Sequence, residues 1–403
     1  FSDILVGAEE FRSNTGKSYL IYGHGGIWPV SSRAMNVSSV TFVGDIWSHV
    51  GNNLANVGDV SGDGIEDFAI GAYSFSPLGR TYAGAIFLVF GTRETPKVQV
   101  SYDLLTMQMP TGVVVIGAAP SDFFGCSIDG GFDLNQDGIS DVVIGAAYAE
   151  IEPQKLNTGI SYVLFGRNSL SPWKSRIDVA NFSLLDGSDG FRIFGNSENE
   201  FSGTKVIGKI DLNHDGIQDL VIGAFEWKNL CSNKTVGRVY VFFGHGIPWP
   251  PTIQLGGING RNGFTIDGYE SDEWCGRDLG SPGDVNNDGK DDLLVAAPMG
   301  NSEAGRVYLI FGSVYCEFVF VCFFTSENYK RKSLSDNLFT VPHCFKVSGS
   351  DETKCLVCEV GFGTNEKTGR CDDCSIVKSF SNGTVPCSRE FNFLSFPPLS
   401  LQI

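Results

Sequence analysis

Four stretches of this 403-residue chain repeat the pattern Asp-x-Asp/Asn/Ser-x-Asp-Gly-x-x-Asp. Their residues are Asp59, Ser61, Asp63, Gly64 and Asp67; Asp133, Asn135, Asp137, Gly138 and Asp141; Asp211, Asn213, Asp215, Gly216 and Asp219; and Asp284, Asn286, Asp288, Gly289 and Asp292. Oxygen donors at positions 1, 3, 5 and 9, a turn-forming Gly at 6 and a backbone carbonyl at 7 are the order in which a loop wraps a hard cation of Ca²⁺ size. The carbonyls would come from Ile65, Ile139, Ile217 and Lys290. Mg²⁺ fits less well, because it keeps its waters and seldom takes an all-protein cage. A helix-flanked calcium loop would carry a bidentate Glu at position 12. Here that position holds Ile70, Ile144, Ile222 or Val295, so each loop should feed a β-strand and the Asp at position 9 should close the shell. The alternative reading of any one such loop alone is an Asx-rich hairpin turn. Recurrence is the argument for a cation, with about four ions expected: aspartates crowded in threes repel one another, and eight positive charges would take the formal charge from −17 to −9. A metal buried identically in every repeat is expected to staple a hairpin rather than to touch a ligand.

The elements around the loops repeat as well. The first Asp of each loop recurs after 74, 78 and 73 residues. Each loop leads into an apolar strand and then a second one that ends in an aromatic residue and Gly: AGAIFLVFG, TGISYVLFG, VGRVYVFFG and AGRVYLIFG, closing at Gly91, Gly166, Gly244 and Gly312. A partial unit, SDILVGA and GKSYLIYG, opens the chain, and short strands TFVGD, VVIGA, FRIFG and FTIDG precede the full units. About four short strands per repeat predict an all-β fold, a β-propeller of four-stranded blades with one partial and four full repeats in view. The continuous apolar runs suit strands buried on both faces.

Gly-Ala pairs at Gly71, Gly145 and Gly223, with Ala-Ala at Ala296, stand twelve residues after the first loop Asp, and Phe124-Gly125 stands just before its own loop. This spacing resembles the FG-GAP repeats of integrin α subunits over residues 1 to about 313, although Val50, Ser202 and Cys275 replace the first Phe. The resemblance implies Ca²⁺ in the blade loops, a ring of seven blades of which this chain would hold an incomplete set, and protein recognition on the face opposite the metals. Similar repeats occur in glycosylphosphatidylinositol-specific phospholipase D, so an accessory propeller of a secreted hydrolase is an alternative. A lectin is another, because Trp28, Trp47, Trp173, Trp227, Trp249 and Trp274 could stack on sugars; packing between blades is the competing role for them.

The net charge of −17 argues against a nucleic-acid or anionic-membrane partner. No apolar run is long enough for a membrane helix, the longest being Val314 to Phe324 with Glu317 inside it, so membrane association is expected only through parts outside this chain. The chain opens on Phe1 without an initiator Met or a signal peptide, the expectation for a mature or truncated fragment. Eight of the 11 cysteines fall between Cys316 and Cys387. Residues 314–344 read as a connection or part of a further blade, and 345–403 as a small Cys-rich module resembling those of growth-factor and ephrin receptors. The pairs Cys355/Cys358 and Cys371/Cys374 also have zinc-ribbon spacing; the nearby Cys344 and Cys387 and the sequon at Asn382 favour disulfides. Further sequons begin at Asn36, Asn181 and Asn233. His24, His49, His214, His245 and His343 lie near no nucleophile motif, and the chain has no phosphate loop or zinc-protease helix, so no catalytic residue is expected. The expected setting is extracellular or at the cell surface, with a protein ligand or receptor subunit as partner and a glycan as the alternative.

Overall fold

The computed structural model describes residues 2–26, 40–93, 100–103, 112–151, 155–168, 170, 172–181, 187–229, 232–246, 248–312, 319–325 and 344–347; segments 100–103, 319–325 and 344–347 are described as backbone alone. Trp28, Cys231, His343, the sequons at Asn36 and Asn382 and the Cys-rich stretch from 348 onward lie outside them. The chain divides into two compact units: Phe1–Lys209 with Ile217–Ala224 and Gly244–Gly257, and Ile210–Gly216 with Phe225–Phe243 and Ile258–Ile403.

In the first unit, the strands Leu54–Gly58, Asp67–Ala72, Ala85–Val89 and Gly112–Ile116 pair antiparallel in chain order. Ser127–Phe132, Asp141–Ala146, Ile160–Leu164 and Gly190–Phe194 do the same. The opening partial unit contributes Ile4–Ala8, Lys17–Ile21 and Val40–Val43, and Lys205–Ile207 pairs with Leu220–Ala224. In the second unit Arg238–Phe242 pairs with Gly263–Asp267. There too Asp278–Gly283, Asp292–Ala297, Arg306–Ile310, Val319–Thr325 and Cys344–Val347 make one antiparallel sheet. The sheet of the fourth repeat therefore runs past residue 313, and Phe345 lies in its edge strand.

Sheet and sequence repeat are out of phase. The short strands read upstream of each loop close the sheet of the repeat before: Val40–Val43 pairs with Lys17–Ile21, and Gly112–Ile116 with Ala85–Val89. A second feature escaped the sequence. The chain leaving Ile160–Leu164 first lays Arg176–Asp178 parallel to Gly112–Ile116, on the preceding sheet, and only then returns as Gly190–Phe194. Thr252–Gln254 does the same to Gly190–Phe194, and Val100–Asp103 to Val40–Val43. These crossovers stitch successive sheets, and strands of three residues are too short to show a period.

The apolar runs are explained by burial on both faces. In Ala85–Val89, Ile86 and Leu88 enter one buried cluster with Val142, Ile144 and Tyr162, while Ala85, Phe87 and Val89 enter another with Val40 and Phe42. Gly112–Ile116 divides in the same way, Val113 and Val115 to one side, Val114 and Ile116 to the other. Alternation thus persists, but both faces want apolar side chains. Consecutive four-stranded sheets packed in this way are the blades of an all-β propeller architecture.

Adjacent repeats meet where Gly16, Gly84 and Gly237 bridge to Val50, Phe124 and Cys275. Those partners are buried, and the equivalent Ser202 donates its N–H to the Thr158 carbonyl at 3.2 Å. The position asks for a backbone contact, so Val, Phe, Ser and Cys all serve. Two residues earlier, a buried carboxylate often caps the turn: Asp122 accepts the Ala119 N–H at 2.9 Å and Glu200 the Asn196 N–H at 2.6 Å. Burial pushes Asp122 up to about 7, its Ala119 hydrogen bond and Arg80 opposing and Glu150 adding to the rise. A raised carboxyl binds its proton more tightly folded than unfolded, so its contribution is full below about pH 4 and lost as pH rises through 7. The Asp122→Asn variant should therefore show a flatter fall in thermal midpoint between pH 5 and 8 than the parent; an unchanged slope would remove Asp122 as its source.

Candidate cation loops and the opposite end

The loops join the first and second strands of their sheets, and their geometry recurs. The carboxylate at position 1 accepts the N–H groups of positions 5 and 6: Asp59 from Asp63 and Gly64 at 3.0 and 2.7 Å, Asp133 from Asp137 and Gly138 at 3.1 and 2.7 Å, and Asp284 from Asp288 and Gly289 at 3.0 and 2.7 Å. Asp211 binds Asp215 and Gly216 in the same way, at 3.2 and 2.9 Å. A carboxylate has about four acceptor sites, so these bonds pre-shape the loop without exhausting it. Position 5 is exposed throughout. Position 6 is left-handed, and so is position 4, occupied by Gly62, Gln136, His214 and Asn287 at φ 57 to 68°. His214 at this position therefore answers to a backbone requirement that Gly and Asn meet in other loops.

Position 9 does something the sequence did not disclose. Asp67, Asp141, Asp219 and Asp292 are buried, and Asp67, Asp141 and Asp292 each bind backbone amides of two separate segments. Asp67 accepts Val60 N–H at 3.0 Å and Gly91 N–H at 2.7 Å; Asp141 accepts Leu134 at 2.7 Å and Gly166 at 2.9 Å; Asp292 accepts Val285 at 2.8 Å and Gly312 at 3.1 Å. Asp219 accepts Gly244 N–H at 2.9 Å. Each ties its loop or strand to the glycine that ends the third strand. That glycine has no alternative, since a Cβ at Gly91, Gly166, Gly244 or Gly312 would collide with the carbonyl of loop position 8. Desolvation raises Asp67 to about 6 and Asp141 to about 8 against the pull of those amides.

The donor set is oxygen throughout, which suits a hard cation. Among the described residues, no three carboxylate, imidazole or thiolate groups converge closely enough to hold a metal by themselves. A cation in these loops would draw on Ser or Asn oxygens and the position-7 carbonyl as well as on aspartates.

The antiparallel order places the connections from second to third strand, and from fourth strand to the next sheet, at the end opposite the loops. In the first unit, six of the eight exposed large apolar side chains sit there: Ile46, Trp47, Leu78, Tyr82, Tyr148 and Leu156. Aromatic rings form a row across three successive repeats. His49 to Tyr73 is 5.1 Å between centroids, Tyr73 to Phe123 5.9 Å, Phe123 to Tyr148 4.9 Å and Tyr148 to Phe201 4.9 Å, with Tyr82 stacked on Phe123 at 5.9 Å. In the second unit Phe225 and Trp274 make the corresponding pair at 5.5 Å. The row is encoded by a residue one or two positions after each Gly-Ala pair and by the one before each bridging residue, so that rings in contact come from different connections of the chain.

Most described tryptophans pack. Trp249 is buried, stacks on Phe191 at 4.7 Å and donates to the Leu134 carbonyl at 3.2 Å; Trp173 donates to the Val60 carbonyl at 2.8 Å; Trp227 lies 3.5 Å from the Arg238 guanidinium. Trp47, 54% exposed, is the one left for a ligand among them. The sequon residues Asn181 and Asn233 are exposed, the latter between Lys228–Asn229 and Lys234–Thr235, which form a two-stranded hairpin.

A family model for the FG-GAP repeat matches residues 50–89 and 279–310. Human phosphatidylinositol-glycan-specific phospholipase D is 28% identical over 319 residues, 73% of this chain and 33% of its own length. Human integrin alpha-11 is 35% identical over 100 residues, 24% of this chain and 7% of its own. Integrin alpha-5 of Xenopus laevis is 29% identical over 167 residues, 41% and 14% respectively. The chain thus spans a third or less of these relatives. No helix among the described residues is long and apolar enough to cross a membrane. The matched segments run from the bridging Val50 through the first loop to Val89 and over the fourth loop to Ile310, so two of the four full repeats match the FG-GAP repeat model.

Proposed function

We propose that this chain is a calcium-stabilised extracellular recognition domain, with the cation loops as scaffold and the opposite end as the partner-binding surface. The observation that carries it is the concentration of exposed apolar and aromatic side chains at that end, since contiguous apolar surface on a soluble domain marks an interaction site. Variable connections on a repeated frame are where specific binding is built. The partner is an extracellular protein or a receptor subunit at a cell surface, and the integrin relatives support adhesion as its setting. About four Ca²⁺ ions are held by the side chains at positions 1, 3, 5 and 9 and the carbonyl at 7. Their chemistry is neutralisation of the crowded carboxylates; the chain itself is non-catalytic. The exposed sequons at Asn181 and Asn233 make it a glycoprotein. A second reading, an accessory propeller beside a hydrolase, is supported by the phospholipase D relative, whose match extends over most of this chain.

The test is a variant carrying Trp47→Asn, Tyr82→Asn and Tyr148→Ser, Asn being chosen where φ is left-handed. Labelled protein is applied to intact cells and to purified matrix proteins. At least tenfold weaker binding with an unchanged thermal midpoint is expected. Equal binding by the variant removes this surface, and loss of parent binding in the presence of free sugars would replace the protein partner with a glycan.

A further inference from the structure

The fourth loop differs from the others at one residue. Position 7 is Ile65, Ile139 and Ile217 in the first three loops and Lys290 in the last. The backbone carbonyl of position 7 does not depend on the side chain, so sequence spacing alone treats the four as equivalent. The structure does not. Lys290 folds back over its own loop, its Nζ 3.1 Å from Asp288 Oδ2, and its side chain is only 17% exposed. The same oxygen accepts Asn286 Nδ2 at 3.1 Å, and Asp288 Oδ1 accepts the Lys290 N–H at 3.0 Å. Asp288 is therefore engaged by an ammonium, an amide and a backbone N–H. In the second loop Asp137 accepts the latter two, from Asn135 at 3.1 Å and Ile139 at 2.9 Å, and position 7 there is an apolar Ile.

We infer that Lys290 is an internal counter-ion of the fourth loop, which leaves three loops that bind calcium tightly and one that binds it weakly. The inference rests on the reading of the loops as calcium sites. A divalent ion entering the fourth loop must displace the ammonium from Asp288 and hold it nearby against like-charge repulsion. At a few ångströms in a half-exposed site that repulsion weakens binding by about tenfold or more. The fourth repeat is accordingly the one whose loop keeps its shape at low calcium.

Isothermal titration of the intact chain with CaCl₂ after chelator removal separates the possibilities. The expected result is three tight ions and a fourth at least tenfold weaker. Lys290→Ile, or Lys290→Met should the first variant fold poorly, should bring the fourth into the tight class. Asp284→Asn should leave the tight count at three, whereas Asp133→Asn should lower it to two. Four equal sites in the parent, or a Lys290→Ile titration identical to the parent's, overturns the role of Lys290 while leaving the calcium loops in place. No binding by the parent overturns the loops themselves, and this inference with them.

Discussion

Melting in saturating Ca²⁺ should occur far above melting in excess chelator. At 100 times its dissociation constant, an ion that binds only the folded chain adds about 2.7 kcal/mol per site, so three tight loops add roughly 8 kcal/mol, comparable with the whole stability of an ordinary domain. At about 2–4 °C per kcal/mol for a large domain, the midpoint should move by roughly 15–30 °C. The effect has a local cause. Desolvation already lifts Asp67 to about 6 and Asp141 to about 8 and raises Asp292, so these three loops each hold a carboxylate whose charged form is penalised beside two more aspartates. A divalent ion reverses that penalty. Asp137→Ala should remove one ion and leave the others, because its exposed side chain serves its own loop alone. Superimposable melting curves with chelator and with Ca²⁺ would leave the loops as Asx-rich turns and nothing more.

What could be read beforehand followed from local chemistry repeated at a distance. The loop residues, the strand-ending glycines and the four-strand repeat are all visible because each is confined to a few consecutive positions. Position 9 shows where that kind of reading stops. The apolar position 12 points to its Asp as the residue that closes the shell, but nothing within the loop indicates that Asp141 also reaches Gly166, 25 residues on. The parallel edge strands are hidden for a different reason: Arg176–Asp178 is a strand only because Gly112–Ile116 offers it an open edge. The aromatic row is hidden for a third. Phe123 and Tyr148 are neighbours in space through the pairing of adjacent repeats, and each alone looks like an ordinary turn residue. The aromatic row is thus legible only once the sheets are paired, whereas the loops are legible from consecutive residues.

Two glycines that look alike in the repeat should respond very differently to an added methyl group. Gly145 belongs to the Gly-Ala pair of the second full repeat, in the middle of Asp141–Ala146. Its φ is ordinary, but a Cβ there would overlap the carbonyl of Gly203, which lies on the next repeat. The surrounding contacts leave no slack, because Gly125 donates its N–H to the Gly145 carbonyl at 2.9 Å and Gly203 donates to Gly223 at 3.0 Å. The obstacle is backbone on both sides, so the sheets themselves must separate. Overpacking of this kind costs about 1–3 kcal/mol where side chains can yield and more where they cannot, so Gly145→Ala should lose at least about 3 kcal/mol. Gly138, at position 6 of the second loop, is the opposite case: φ is +85° and a Cβ would meet nothing within 4 Å. Its only penalty is the left-handed backbone, about 1–2 kcal/mol for Ala and less for Asn. Urea unfolding of Gly145→Ala, Gly138→Ala and Gly138→Asn should therefore rank them in that order, from most to least destabilised. If Gly145→Ala unfolds with the parent, the close approach of successive repeats at Gly203 is wrong. If Gly138→Asn proves as damaging as Gly145→Ala, the sixth loop position is constrained by something other than its backbone angle.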